Sequence, residues 1–268
     1  MPRPRVFFQG DYELLSSQFA GLVVAAKKGI FKAKGIDVIL RGRVRPGSEA
    51  DVVAAIQEAV GEKGGVALGC AEQNIVVPAQ HGGAPVKVIS AMYHKSPLGL
   101  GLLPSSRITS LKELAHRESR VGMLADSLTL AQRMMHQAAG STSAYIPEVV
   151  EVTNENKIGL LLAGKLDAIQ IYDATEPVEI QIETGHPPRF LPFLPSLGYA
   201  QAIFAHSTAL TNEKQRDVIT TFLACMYQGW EEALNDPRAT AALIMEARRE
   251  VRREGGREGG REGGVAEF

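Results

Sequence analysis

The sequence predicts an α/β protein whose strands form a parallel sheet covered by helices on both faces. Short apolar segments typical of strands alternate with amphipathic helical segments along most of the 268 residues. This alternation is the pattern of a parallel sheet with crossover helices. It occurs in two successive rounds, and a chain of this length is long for one hydrophobic core. Two lobes and one large α/β domain are both compatible with the length.

The first round of strands and helices extends to about residue 94. In "SSQFAGLVVAAKKGI", apolar residues three and four positions apart predict an amphipathic helix, which Lys27, Lys28 and Gly29 close. A short strand precedes this helix, and strands and helices then alternate. The segments are "FF", "IDVIL", "SEADVVAAIQEAV" (48–60), "GGVALG", "AEQNIVVPAQHGG" and "APVKVISAMY".

The second round begins with the strand-like segment "GLGLLP". It continues through "TSLKELA", "RVGML", "DSLTLAQRMMHQAAG", "EVVEVT", "NKIGLLLAG", "LDAIQIY" and "TEPVEIQIETG". The strand "YAQAIFAH" then leads to the strongest helical pattern, which Thr211 or Asn212 caps and which ends before Pro237. The repeat "REGGREGGREGG" at 253–264 has no apolar side chain to bury, so it predicts a disordered tail.

The composition argues against several kinds of partner. The net charge is −1, which gives no electrostatic argument for binding nucleic acid or an anionic membrane. No apolar stretch reaches the roughly 18 residues that would span a bilayer. The N-terminal segment is not a secretory signal, which predicts a cytoplasmic protein if the N-terminus is complete and a periplasmic one if it is trimmed. Cys70 and Cys225 are expected to be reduced and buried.

The motifs of the common enzyme classes are absent from the sequence. It contains no glycine-rich dinucleotide or phosphate-binding fingerprint, no nucleophile elbow and no zinc-protease motif. The six histidines occur singly along the chain, which favours surface or structural roles over metal ligation. The sequence therefore predicts binding rather than turnover, with no cofactor and no metal.

Polar residues follow four of the predicted strands, where ligands bind in open α/β sheets. Each of these turns also opens a helix, so helix capping is the alternative explanation at every one. The helix start at Ser127 could bind an anionic group. Tyr172 could stack on a ring, and Glu72 and Asp173 could accept hydrogen bonds from amino or ring N–H groups. The candidate ligand-binding residues are Gln18, Glu72, Gln73, Asp126, Ser127, Thr129, Tyr172, Asp173 and Glu176.

Several motifs resemble, in their order and spacing, those of the NMT1/THI5-like (SsuA/ThiY-like) family. They are "QFAGLVVAAKKGIFKAKGIDVIL", "GGVALGCAEQNIVVPAQHGGAPVKVISAMYHKSPLGL", "ITSLKELAHRESRVGM", "LLAGKLDAIQIYDATEPV" and "FLACMYQGWEEALNDPRATAALI". The resemblance implies a two-lobed, periplasmic-binding-protein-like type II fold with mixed, mostly parallel sheets and helices on both faces. It further implies lobe I at 1–94 and 198–250, lobe II at 95–197 and a disordered low-complexity tail at 251–268.

The sequence departs from the enzyme branch of this family, which makes the thiamine pyrimidine phosphate from pyridoxal phosphate and a histidine of the enzyme. Those synthases have a pyridoxal-phosphate lysine, and a histidine four residues later, in the turn that here is "LGCAEQNIVV". No lysine lies between Lys63 and Lys87, and His81 is too far along the chain. The segment "SLGYAQAIFA" also lacks the cysteine cluster of the synthases. Without the lysine no Schiff base can form, so a catalytic role is disfavoured.

The resemblance favours a solute-binding protein that clamps a polar or heteroaromatic ligand, such as a thiamine pyrimidine precursor, between two lobes. A synthase-type enzyme of thiamine biosynthesis and a sulfonate- or nitrate-type component of an ABC transporter are the alternatives. An orphan domain that keeps the fold but binds no ligand is a third. The expected partners are the small-molecule ligand and, if the protein is exported, an ABC-transporter permease. Nucleic acid and direct membrane insertion are not expected.

Overall fold

The computed structural model describes residues 3–10, 14–41, 65–115, 118–140, 147–193, 198–255 and 265–267. The chain divides into two compact units, of which unit 1 comprises Met1–Met92 and Gln201–Phe268 and unit 2 comprises Tyr93–Ala200. The predicted helix at 48–60 lies outside the described residues.

The described strands and helices follow the predicted alternation. The strands are β1 (Arg5–Gly10), β2 (Asp37–Arg41), β3 (Gly65–Glu72), β4 (Val86–Ala91), β5 (Leu98–Leu102), β6 (Arg120–Leu124), β7 (Glu148–Val152), β8 (Ala168–Tyr172), β9 (Arg189–Pro192), β10 (Gln201–His206) and β11 (Val265–Glu267). The helices are α1 (Ala20–Lys27), α2 (Ile30–Ala33), α3 (Gln73–His81), α4 (Leu111–Ala115), α5 (Leu128–Ala139), α6 (Lys157–Leu162), α7 (Glu176–Thr184), α8 (Ser207–Thr211), α9 (Glu213–Asn235) and α10 (Pro237–Gly255). Two 3₁₀ turns, Ser17–Phe19 and Ala125–Ser127, precede α1 and α5.

Each unit contains one mixed sheet. The strand order is β11-β2-β1-β3-β10-β4 in unit 1 and β7-β6-β8-β5-β9 in unit 2. Strand β1 pairs in parallel with β2 and β3, and β6 pairs in parallel with β7 and β8. The other ladders between described strands are antiparallel. Among the described strands, parallel pairing joins three strands of each sheet, and both sheets are mixed, as the family resemblance implies.

Several helix ends have the capping residues that the sequence predicts. Gly29, with a φ of 72°, separates α1 from α2 in the left-handed conformation that glycine adopts without a steric penalty. The side chain of Asn212 accepts a hydrogen bond from the Gln215 amide at the start of α9. Ser110 does the same for the Glu113 amide at 3.1 Å, at the start of α4.

Aromatic stacking and close helix packing form the core of unit 1. The Phe222 ring of α9 stacks on Phe8 of β1 and on Phe31 of α2, with centroid distances of 5.6 and 5.3 Å. Helices α1 and α9 approach so closely that a Cβ atom at Gly21 would lie 2.3 Å from Cδ1 of Trp230. Glycine is thus required at position 21, because any side chain there would displace the indole.

Unit 2 has a separate apolar cluster on each face of its sheet. One cluster packs Met123 of β6 and Tyr172 of β8 against Met134 of α5. The other packs Ile169 and Ile171 of β8, together with residues of α6 and α7, on the opposite face. Alternate residues of β8 thus point to opposite clusters, and helices cover both faces as the sequence predicts.

The C-terminal segment is more regular than the sequence predicts. Pro237 begins α10, as proline can at the first helical position, and the Asp236 carboxylate accepts a hydrogen bond from the Ala239 amide at 2.9 Å. Helix α10 continues to Gly255, and β11 pairs with β2. Both segments differ from the disordered tail predicted from residue 251, whereas 256–264 lie outside the described residues.

Candidate functional site

The parallel strands of unit 1 bring two of the predicted turns to one edge of its sheet. Gly10, the last residue of β1, lies opposite Cys70 of β3, so both strands end at the same edge. Gln18 lies in the 3₁₀ turn that enters α1 after β1, and Gln73 begins α3 directly after β3. Both glutamines are half-buried.

Three buried polar side chains lie at this edge of unit 1. Glu72 is only 3% exposed, and its side chain does not cap α3. Gln9 and Gln201 are also buried, and Gln201 lies directly opposite Glu72 in the β3–β10 ladder. The sequence analysis did not select Gln9 or Gln201. A signal was present, because each is a polar residue inside an otherwise apolar strand, "FFQG" and "YAQAIF".

The parallel strands of unit 2 bring the other two turns together. Gly122 of β6 lies opposite Ile169 of β8, so the turns after Leu124 and after Tyr172 leave the sheet at the same edge. Strand β5 runs in the opposite direction and begins there, with Leu98 opposite Tyr172. Six of the predicted site residues lie in these two turns or in the elements that flank them.

A chain of hydrogen bonds connects the turn after β6 with the interior of β8. Asp126 is half-buried, and its Oδ1 accepts a hydrogen bond from the Ser127 hydroxyl at 3.0 Å. The same hydroxyl oxygen accepts a hydrogen bond from Nε2 of Gln170 at 3.2 Å. Oε1 of Gln170 in turn accepts a hydrogen bond from the Leu124 amide at 3.1 Å. Gln170 is a buried polar residue that the sequence analysis did not select.

Tyr172, the last residue of β8, is an aromatic residue two positions after Gln170. The residue is 8% exposed and belongs to the same face of the sheet as α5. Its ring meets Tyr93 edge to face, with the centroids 6.4 Å apart. This geometry is typical of a favourable aromatic pair.

The structure gives Glu176 a structural role rather than the exposed position of a simple ligand contact. One carboxylate oxygen forms a 2.5 Å salt bridge with the buried Lys157 of α6. The other accepts hydrogen bonds from the Thr175 hydroxyl and from the Tyr172 amide. Burial raises the pKa of the Glu176 carboxyl, but the charge and hydrogen bonds of these partners outweigh it, so the pKa lies below the ordinary 4.5. Lys157 is another residue that the sequence analysis missed.

Thr129 and Asp173 complete the predicted residues and are exposed. Thr129 lies in the first turn of α5. Asp173 follows β8, and its amide donates a hydrogen bond to the carbonyl of Pro97 at 2.9 Å. Both side chains are accessible at the carboxyl edge of the unit 2 sheet.

An open depression of about 660 Å³ lies elsewhere in unit 2. It is lined by Leu103, Pro104, Ser105, Leu162, Thr184 and His186. Leu103 follows the carboxyl end of β5, which runs antiparallel to β8. The depression is therefore at the opposite edge of the sheet and contains none of the predicted site residues.

The described residues contain neither a metal-binding cluster nor a membrane span. No group of three or more histidine, cysteine, aspartate or glutamate side chains among them is arranged to bind a metal ion. No described helix combines the length and the apolar character needed to cross a bilayer. Cys70 and Cys225 are buried and are not joined in a disulfide, as the sequence predicts.

The solved structures that share the fold of this chain include two sulfonate-binding proteins and a nitrate-binding protein. The periplasmic aliphatic sulphonate binding protein SsuA from Escherichia coli is 16% identical, with 91% of this chain and 77% of that chain covered and a TM-score of 0.66. The alkanesulfonate-binding protein SsuA from Xanthomonas axonopodis pv. citri, bound to MOPS, is 13% identical, with 92% of this chain and 79% of that chain covered and a TM-score of 0.61. The periplasmic nitrate-binding protein NrtA from Synechocystis PCC 6803 is 10% identical, with 91% of this chain and 66% of that chain covered and a TM-score of 0.59.

These structures and the two mixed sheets establish a type II periplasmic-binding-protein fold. Among curated protein sequences, none matches the chain. The family profile described as "NMT1/THI5 like" matches residues 16–240, which is most of the sequence. The chain therefore belongs to the NMT1/THI5-like family.

Proposed function

We propose that this chain is a solute-binding protein that binds a small polar or heteroaromatic molecule at the carboxyl edge of the unit 2 sheet. The observation that supports this most is the set of buried polar groups at that edge. Buried polar side chains need hydrogen-bond partners, a requirement that apolar side chains at the same positions would not impose. Ser127 and Gln170 nevertheless lie buried there.

The chemistry of the unit 2 edge favours a flat solute that carries N–H groups. Asp126 and Asp173 are carboxylates at its two turns, and carboxylates accept hydrogen bonds from amino and ring N–H groups. Tyr93 is half-buried and packs edge to face on the buried Tyr172, so it supplies an aromatic surface for a ring. An aminopyrimidine such as the thiamine pyrimidine precursor has both features.

A sulfonate or nitrate is the second candidate solute, because two of the structural relatives are named for binding sulfonates and one for nitrate. One observation on this chain favours it. His94 and Lys95 are exposed just before β5, which begins opposite Tyr172. These residues could attract an anion to the same edge. In either case the macromolecular partner would be the permease of an ABC importer; one structural relative, from Staphylococcus aureus, is the ligand-binding component of an ABC-type import system.

A thermal-stability screen with three probes tests the proposal. The probes are hydroxymethylpyrimidine (the free pyrimidine of thiamine), methanesulfonate and nitrate. A bound solute at 100 times its dissociation constant should add about 2.7 kcal/mol to the free energy of unfolding. We expect this shift with hydroxymethylpyrimidine, and we expect the solute to be recovered unchanged.

Matched variants connect the shift to the proposed residues. Replacing both Asp126 and Asp173 by alanine should abolish the stabilisation, whereas Glu179→Ala, at an exposed position of α7, should leave it unchanged. Stabilisation by methanesulfonate alone would transfer the assignment to the second candidate. Recovery of a chemically altered probe would instead indicate an enzyme, and no shift with any probe would contradict solute binding.

A further inference from the structure

Gln170 lies where strands β6 and β8 separate. Two residue pairs join these strands, Val121 with Ala168 and Gly122 with Ile169. Strand β6 continues to Leu124 while paired with β7, and β8 continues to Tyr172 while paired with β5. The two strands thus part towards their carboxyl ends, although each stays paired with its other neighbour.

The helices that follow these two strands lie on opposite faces of the sheet. Met134 of α5, the helix after β6, packs in the cluster that contains Met123 and Tyr172. Ile180 of α7, the helix after β8, packs in the cluster on the other face. A crevice forms in an open α/β sheet where successive connections leave in opposite directions, and ligands bind in such crevices. In unit 2 this point lies between β6 and β8.

The side chain of Gln170 bridges this gap. It is 3% exposed, and its two polar atoms contact two groups of the turn after β6. Oε1 accepts a hydrogen bond from the Leu124 amide, and Nε2 donates a hydrogen bond to the Ser127 hydroxyl oxygen. Because that oxygen already accepts a hydrogen bond, the hydroxyl proton is directed to its acceptor, Oδ1 of Asp126. The bridge therefore fixes the orientation of both Ser127 and the Asp126 carboxylate.

We propose that Gln170 is a positioning residue that makes the crevice selective for solutes with N–H groups over anions. This inference rests on the proposed function of solute binding. Gln170 commits the Ser127 hydroxyl proton to Asp126, so this hydroxyl does not donate to an anion at the start of α5. The hydrogen bond from Ser127 also orients the Asp126 carboxylate so that it can accept a hydrogen bond from a solute N–H group. Gln170 itself acts through Ser127 and does not need to touch the solute.

Calorimetric titration of the full chain with hydroxymethylpyrimidine and methanesulfonate tests this role. Hydrogen bonds to a charged group contribute enough that loss of one weakens binding about tenfold or more. Gln170→Met removes both bonds of the amide at similar size, and Ser127→Ala removes the relay. Each should weaken hydroxymethylpyrimidine binding about tenfold and lower its preference over methanesulfonate. The double variant should be no weaker than either single one, because both act on one pathway.

Two further variants separate positioning from mere structural support. Ser127→Thr keeps a hydroxyl and should retain the wild-type preference between the two probes. Gln170→Glu keeps an acceptor for the Leu124 amide but replaces the donor to Ser127 by a competing acceptor. It should therefore lose the preference while amide exchange at Leu124 stays as slow as in the wild type.

The possible failures are distinguishable. If the wild type binds neither probe, the proposed function fails and the positioning role fails with it. If the wild type binds hydroxymethylpyrimidine but Gln170→Met and Gln170→Glu keep its preference over methanesulfonate, solute binding stands and the positioning role is overturned. The same conclusion follows if the Gln170→Met and Ser127→Ala losses simply add.

Discussion

The carboxyl edges of the two units are held in different ways. In unit 1, aromatic packing supports the strand that leads to the edge, since Phe8 of β1 stacks on Phe222 of α9, and Gln9, Glu72 and Gln201 are buried at that edge. In unit 2, the corresponding turns are fixed by buried polar contacts, the Gln170–Ser127 hydrogen bond and the Lys157–Glu176 salt bridge. Packing is insensitive to pH and to ligand charge, whereas hydrogen bonds and ion pairs respond to both. Unit 2 is therefore the unit in which solute selectivity is expected to reside.

The largest change in the free energy of unfolding is expected from a substitution in unit 1. Phe222→Ala removes a fully buried ring that stacks on two others and should lower the free energy of unfolding by about 3–5 kcal/mol. Trp230, the single tryptophan of the chain, lies in the same helix, so denaturant unfolding followed by its fluorescence measures the effect. The control Leu234→Ala, at an exposed position of α9, should change it by less than about 0.5 kcal/mol. If Phe222→Ala and Leu234→Ala lowered the free energy of unfolding equally, aromatic packing would not be what stabilises unit 1.

A slightly smaller effect is expected from the salt bridge of unit 2. Glu176→Gln leaves the buried Lys157 ammonium without its counter-charge, which should cost about 3 kcal/mol. Denaturant unfolding followed by circular dichroism measures this loss of stability. Glu179→Gln, three residues along the same helix and exposed, is the matched control and should have almost no effect. A Glu176→Gln variant as stable as the control would show that unit 2 is also held by packing alone.

The same pair predicts a pH dependence for unit 2. The pKa of Glu176 is lowered in the folded protein, so the pair stabilises above the ordinary value of 4.5. Its contribution should be lost as the pH falls below this value and through the folded pKa. Unfolding midpoints measured across this range should therefore fall less steeply with acid in Glu176→Gln than in the wild type. Parallel acid profiles would contradict the assignment.

The smallest effect concerns helix packing. Gly21→Ala in unit 1 would force a Cβ atom into the Trp230 indole and should cost about 1–3 kcal/mol. Gly159→Ala in α6 of unit 2 has no neighbouring atom within 4 Å, so it should stabilise the helix by about 0.5–1 kcal/mol. Thermal unfolding of the two variants gives the comparison directly. Effects of the same sign would contradict the close α1–α9 approach.

Local patterns were sufficient to predict most strands and helices. The stripe of Phe19, Leu22 and Val23 and the closing Gly29 define α1 without any tertiary information. The same holds for the cap of α9 at Asn212. The pattern does not predict helix α10, because Pro237 indicates the end of the preceding helix, although proline also begins helices.

The polar contacts at the strand ends could not be predicted in the same way. Turn residues such as Asp126 and Tyr172 stood out because they follow strands. Gln170 did not, because it lies within a strand and its partner Ser127 is 43 positions away. Lys157 likewise resembled an ordinary helix-start residue until the fold brought Glu176 to it. Contacts of this kind depend on which strands become neighbours, and a strand pattern does not contain that information.

The most direct test of the account is a calorimetric titration of the wild type and of Asp126→Asn with hydroxymethylpyrimidine. We expect one bound molecule per chain in the wild type and binding weaker by about tenfold or more when the carboxylate is neutralised. Binding of undiminished strength in Asp126→Asn, or no binding to the wild type, would contradict it.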